Sequence, residues 1–146
     1  MAKLKYAKCV IRDLKGNILR DGKEVEFEGI FLTPEKLGTK CQFLYSIQDK
    51  AKVDEATPHI HDFPIVMTFI GANPKNMFDF DAEIEFYVGG EKQVITTPAV
   101  VSVPAGTPHC PLIFKRVGKP FAWMEIMLTD KYSRREVGNK PIYKTE

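Results

Sequence analysis

The residues best placed to do chemistry in this chain are its three histidines, His59, His61 and His109. His59 and His61 form a His-x-His pair at the head of a strand-like run. On a strand, residues two apart share a face and lie ~6.6 Å apart, at ~3.3 Å per residue. Two imidazoles so placed can converge on one ion at metal–nitrogen distances of about 2.0–2.1 Å. His109 follows Pro104-Ala105-Gly106-Thr107-Pro108, a tight turn that can aim the first side chain of the next strand into a barrel mouth. Imidazole suits one divalent transition metal, Fe, Zn, Ni, Mn or Cu, and ligand type does not choose among them. Three protein ligands leave open positions, which is the arrangement of a catalytic ion rather than a closed structural one. Regular alternation turns Asp62 away from His61 and Cys110 away from His109, so neither is expected in the site.

The elements that must position these residues read as strands. Val25 and Phe27 alternate with Glu24, Glu26 and Glu28 before Gly29-Ile30-Phe31-Leu32, and Cys41, Phe43, Tyr45 and Ile47 alternate with Gln42, Leu44, Ser46 and Gln48. Further short runs lie at 65–70, 82–88, 93–96, 99–103, 111–114 and 121–128. Turn residues separate them: Gly71-Ala72-Asn73-Pro74, Gly89-Gly90, Thr97-Pro98, Pro104-Ala105-Gly106 and Gly118-Lys119-Pro120. Many short strands with Gly/Pro turns predict an all-β sandwich or barrel. The one helix candidate is Pro34-Glu35-Lys36-Leu37, with Thr33 as N-cap and Gly38 as its end. Residues 49–57 read as a loop leading into the histidines, and 77–81 as a second loop, a candidate lid carrying Phe78 and Phe80. From Thr129 the chain becomes a charged surface tail, in which Pro141-Ile142-Tyr143 could add an edge strand.

Pro58-His59-Ile60-His61 and, about forty residues on, Pro104-Ala105-Gly106-Thr107-Pro108-His109 resemble the two motifs of the cupin superfamily. The first cupin motif carries His-x-His with a later carboxylate, and the second has the form Pro-x-Gly-x-x-His, matched here at every fixed position. The resemblance covers roughly residues 41–128. It implies a single cupin domain, a double-stranded β-helix (jelly-roll) barrel, with residues 1–40 as an N-terminal strand extension packing on the barrel and 129–146 as the charged tail. It also implies that His59, His61 and His109 are the metal ligands. Two positions depart from the pattern. Ile65 and Val66 stand where the family places its carboxylate, and Ile113 stands where the second motif often has Asn. Either the site works with three histidines alone, or an acid comes from the run 82–88, where Glu83, Glu85 and Tyr87 share one face. Glu85 ranks ahead of Glu83 as fourth ligand or general base. An exposed face is the competing reading of both glutamates. Ile65, Met67, Phe69, Tyr87, Phe114 and Trp123 are the residues expected to line the pocket, although Met67, Phe69, Phe114 and Trp123, with Met127, could equally fill a core.

Composition narrows the partners. The chain has 146 residues, enough for one domain, with 21 Lys+Arg against 19 Asp+Glu. A net charge of +2 gives no electrostatic basis for binding nucleic acid or an acidic membrane surface. No apolar run approaches the ~18 residues of a membrane span. The first residues lack a secretory signal, and three cysteines at irregular spacing argue for a reducing, cytoplasmic setting. The expected function is a metal-dependent cupin enzyme, an isomerase, lyase or oxygenase acting on a small organic molecule. The alternative is a non-catalytic cupin that binds a small molecule or serves as a structural module. A homodimer is expected, with the run 24–32 offering a strand to a partner's sheet.

Overall fold

Strands that are apolar on one face can bury that face only by packing against another sheet, and the chain does so. The computed structural model describes residues 4–20 and 23–137. In chain order the strands are β1 (Asn17–Arg20), β2 (Lys23–Glu26), β3 (Ile30–Leu32), β4 (Gln42–Gln48), β5 (Lys52–Glu55), β6 (His59–Ile60), β7 (Ile65–Gly71), β8 (Ala82–Val88), β9 (Glu91–Ile95), β10 (Ala99–Val103), β11 (His109–Val117), β12 (Phe121–Met127) and β13 (Arg135–Glu136). A short helix, α1 (Pro34–Leu37), joins β3 to β4, with Thr33 as its N-cap and Gly38 left-handed at φ 67°. One sheet runs β10-β7-β12-β4-β3; the other runs β13-β6-β11-β8-β9, with β5 also on β11; β1 and β2 form a separate hairpin. The resulting all-β architecture is the one expected. The edge strand expected at Pro141-Ile142-Tyr143 lies outside the described residues. Among the described residues no helix is long and apolar enough to cross a membrane.

The two sheets close on an aromatic core. Phe69, Phe86, Phe114 and Phe121 are fully buried. Phe114 meets Phe121 edge-on at 5.2 Å and Trp123 at 5.9 Å between ring centroids. Such contacts add specificity to the area that they bury. Phe69 and Phe114 therefore plug the barrel rather than line an open pocket, while Ile65 and Met67 lie buried on the same inner face of β7.

Two local expectations are corrected. Residues 49–57 are not all loop, because β5 pairs with β11. Its sequence Lys52-Val53-Asp54-Glu55 carries no apolar alternation that would reveal a strand. Before residue 41, β3 pairs with β4, and Phe27 and Phe31 join the core. The segment 77–81 is no lid over the histidines. Gly71, at the far end of β7 from His61, donates its N–H to the Met77 carbonyl at 2.7 Å and holds that loop there.

The turn before His109 is the piece of backbone that joins the two histidine motifs. Thr107 N–H donates to the Pro104 carbonyl at 3.2 Å, and Gly106 N–H donates to the His61 carbonyl at 2.8 Å. Gly106 holds φ 79°, the left-handed value that the third residue of such a turn requires. A Cβ at Gly106 would meet nothing within 4 Å, so only the backbone conformation resists substitution. Gly106→Ala is expected to lower stability by about 1–2 kcal/mol, read as a lower urea midpoint at unchanged slope. No change in midpoint would show that the turn relaxes without cost.

Candidate metal centre

His59 on β6 and His109 on β11 are direct cross-strand partners, and His61 follows β6 immediately. The three rings form a closed triangle, with centroids 4.7 Å (His59–His61), 4.5 Å (His59–His109) and 5.0 Å (His61–His109) apart. Their exposures are 5%, 3% and 2% for His59, His61 and His109. Each Nδ1 is held by a backbone carbonyl: His59 by Thr57 at 2.8 Å, His61 by Ser133 at 2.7 Å and His109 by Thr107 at 3.0 Å. A carbonyl only accepts, so each Nδ1 carries the proton and each Nε2 keeps its lone pair. Two of these bonds come from one repeated local device. Thr57-Pro58-His59 and Thr107-Pro108-His109 each place a proline between carbonyl and ring. The proline biases the preceding threonine to an extended conformation. That repeat stands in the sequence and is a signal that motif spacing alone passed over.

The electrostatics keep the imidazoles neutral. Burial pushes His59 and His109 down to about 4, aided by neighbouring imidazoles and the Arg134 guanidinium. His61 is lowered by burial and Arg134 as well. Neutral imidazole is the form that a metal ion needs, since protons and metal compete for the same lone pair.

The C-terminal segment, expected as a surface tail, forms a wall of this centre through residue 137. β13 pairs with β6, setting Glu136 opposite His59, and Val137 N–H donates to the Pro58 carbonyl at 3.2 Å. The Tyr132 ring sits 5.3 Å from His61, and Phe63 stacks on His61 at 4.7 Å with its ring 6.1 Å from that of Tyr132. Arg134 pairs with Glu55 at 3.1 Å. None of this was visible in the chain, because Ser133 and His61 are 72 residues apart.

The remaining expected site residues divide. Glu83 and Glu85 do not reach the histidines. Ile84 and Phe86 take the inner face of β8, which turns both glutamates outward. Lys115 pairs with Glu85 at 3.0 Å and with Glu83 at 3.5 Å, and it holds the Glu85 carboxyl below its ordinary range. Tyr87 shares that outer face. Cys110, expected to point away, is instead inside: its Sγ and the nitrogens of His59 and His109 all lie within 4.8 Å of one another. The cause is a break in strand alternation. Cys110 has φ 76°, and the β11–β8 register shifts between His109 and Leu112. Burial, then Glu55, Glu125 and Asp54, push the Cys110 thiol well above its ordinary value.

One acid was missed. Glu125 lies on the inner face of β12 with Phe121, Trp123 and Met127, and is 7% exposed. Burial, then Asp54 and Glu55, push its carboxyl up to about 8. The signal was present in the chain as a single acid at an inward position of an otherwise apolar face. An open concavity of about 510 Å³ lies elsewhere, against Tyr45, Ile70, Asn73, Met77 and Phe78, and no histidine borders it.

No protein-family model and no curated protein sequence matches the chain. Solved structures do share its fold. A Thermotoga maritima protein described as a predicted oxalate decarboxylase aligns with a TM-score of 0.52 at 17% identity, over 82% of this chain and 98% of that one. A variant of the Bacillus subtilis oxalate decarboxylase aligns with a TM-score of 0.51 at 14% identity, over 76% of this chain and 29% of that one. Against an oxalate oxidase bound to glycolate, the TM-score is 0.49 at 11% identity over 73% of this chain, which spans 53% of that protein's length.

Proposed function

Because this chain has the cupin fold, we propose that His59, His61 and His109 hold one divalent transition metal and that the chain is an enzyme acting there on a small organic substrate. The observation that carries this reading is the common state of three neighbouring rings, each Nδ1–H spent on a carbonyl and each Nε2 left as a donor, with ligand atoms of His59, His109 and Cys110 all within 4.8 Å of one another. Metal-binding histidines are oriented by this kind of bond from the second ring nitrogen. The donor set fits Fe, Ni, Cu or Zn, and the nearby Cys110 thiol weighs against a hard ion such as Mn. When bound, the ion would supply a Lewis acid for a substrate oxygen or, if iron, a redox centre.

The chain's own groups do the rest. Phe63 and Tyr132 shield the triangle from water. Arg134, paired with Glu55, lies within electrostatic reach of all three rings. The oxalate decarboxylases that share the fold carry small organic acids into this reading as one substrate class. The reading also takes the protein to be a cytoplasmic homodimer, supported by the edge strands β3 and β10 and by cysteines that form no disulfide among the described residues.

A second reading, a non-catalytic binding module, is favoured by the phenylalanine plug and by the absence of a carboxylate from the ligand cluster among the described residues. Elemental analysis of protein purified without chelator decides between them, with His59→Ala/His109→Ala alongside. Near-stoichiometric metal that vanishes in the variant is expected. A wild type that takes up none of the five metals on reconstitution sinks the enzyme reading and leaves the binding module.

A further inference from the structure

His109 and Cys110 are consecutive, and a regular strand would send their side chains to opposite faces. Both are instead 2% exposed. The Cys110 sulfur and one nitrogen from each of His59 and His109 form a single cluster, all within 4.8 Å of one another. The backbone departs from a regular strand at this point. The register of β11 on β8 shifts between His109 and Leu112, and Cys110 takes φ 76°. A residue with a Cβ enters that left-handed region at a cost, and such outliers gather where a site depends on them. What the departure delivers here is a sulfur beside two imidazole nitrogens, a donor set of the kind that holds Zn, Cu or Fe.

The charge of the cluster points the same way. All three rings are neutral, with each Nδ1–H on a backbone carbonyl. A divalent ion brings two positive charges into this buried place, and buried charge needs an opposite charge beside it. The carboxylates are engaged elsewhere. Ile65 and Val66 occupy the positions after His61 where the cupin pattern carries its acid. Glu83 and Glu85 face outward on Lys115, and Glu55 pairs with Arg134. Among the described residues no carboxylate joins the ligand cluster. Cys110 is the member of that cluster that can become an anion, because a thiol coordinated to a metal ion is deprotonated outright.

We infer that Cys110 is the anionic ligand of this centre, its thiolate standing with His59 and His109 where a carboxylate is missing, and with His61 completing the set. On binding, the S–H bond breaks, the proton passes to solvent and a sulfur electron pair goes to the ion. The inference rests on the metal centre proposed above, and its test separates the two.

Cobalt(II) is the probe, because a thiolate bound to it gives a near-ultraviolet charge-transfer band that nitrogen ligands do not give. Wild type and variants are titrated with cobalt(II), and bound metal is measured alongside the spectrum. The band is expected in the wild type and, undiminished, in Cys9→Ser/Cys41→Ser, where Cys110 is the single remaining thiol. Cys110→Ala and Cys110→Ser should lose the band and still bind cobalt through the histidines, at least about tenfold more weakly. Removing even a group behind a ligand costs about 10–100-fold in affinity. His59→Ala/His109→Ala should lose both the band and the metal. Stoichiometric cobalt without the band in the wild type, or unchanged affinity in Cys110→Ala, overturns the thiolate ligand and leaves the histidine centre standing. So does a band that is lost in folded Cys9→Ser/Cys41→Ser or survives in Cys110→Ala. A band that survives in His59→Ala/His109→Ala, or a wild type that takes up neither cobalt nor zinc, overturns the centre and this ligand together. Circular dichroism confirms the folding of each variant. If neither Cys110 variant folds, the single-thiol protein still decides, since its band can come from Cys110 alone.

Discussion

Glu125→Gln is expected to stabilise the protein at pH 8 by on the order of 5 kcal/mol and to leave it unchanged near pH 4.5. The folded carboxyl titrates at about 8, against an ordinary value of 4.5. Below 4.5 both folded and unfolded chains hold the proton, and burial of the neutral acid carries no penalty from this source. Between 4.5 and 8 the unfolded chain releases the proton while the folded chain keeps it. The folded state then binds more protons, and stability falls as pH rises through that window. Glutamine keeps the shape and is neutral at every pH, so the window disappears. Against a total stability of about 5–15 kcal/mol, such a change should be the largest of any single substitution here. Urea unfolding of both proteins at pH 4.5, 6 and 8 measures it. A difference that does not grow with pH would show that Glu125 is ionised in the folded state.

The metal-free protein is expected to lose stability steeply as pH falls from 6.5 to about 4. His59 and His109 titrate at about 4 in the folded state and at 6.5 when free. Above 6.5 both states hold neutral rings and nothing changes. Below it the unfolded chain takes up protons that the buried rings refuse, so acid favours unfolding by roughly 3 kcal/mol for each ring across the window. The slope has the opposite sign to that of Glu125. Two histidines outweigh one glutamate below 6.5 and contribute nothing above it, so these groups together place the stability maximum near pH 6.5 for the metal-free chain. The double variant His59→Gln/His109→Gln should flatten the acid limb and leave the alkaline one. An acid limb that survives in the double variant would mean that other groups govern acid unfolding.

The parts of the fold that could be read from the chain are those written in short-range patterns. Strands 82–88 and 99–103 match β8 and β10 residue for residue. Their apolar periods and the Gly and Pro turns between them act over a few residues. Thr33 and Gly38 bound α1 as expected, since a cap acts within one turn. The histidine trio was legible from two short motifs, each local, although the Thr-Pro-His device that both carry went unread. Glu85 failed where chemistry was preferred to pattern. In Glu83-Ile84-Glu85-Phe86 the apolar residues claim the inner face, and Lys115 waits on the outer one.

Within the chain itself, then, lay the all-β class, most of its strands and the three imidazoles that converge. Tertiary structure alone decided what surrounds them. Ser133, 72 residues from His61, sets that ring's tautomer, and Tyr132 and Arg134 turn an apparent tail into a wall. The left-handed backbone at Cys110 brings a thiol to the cluster that strand alternation would have sent away. Glu125 becomes a neutral acid because packing against β4 and β7 excludes water from it and because Asp54 and Glu55 add their charge. Period and motif are properties of neighbouring residues, whereas burial and electrostatic field are sums over everything that packs nearby. They take their values only once the sheets have closed.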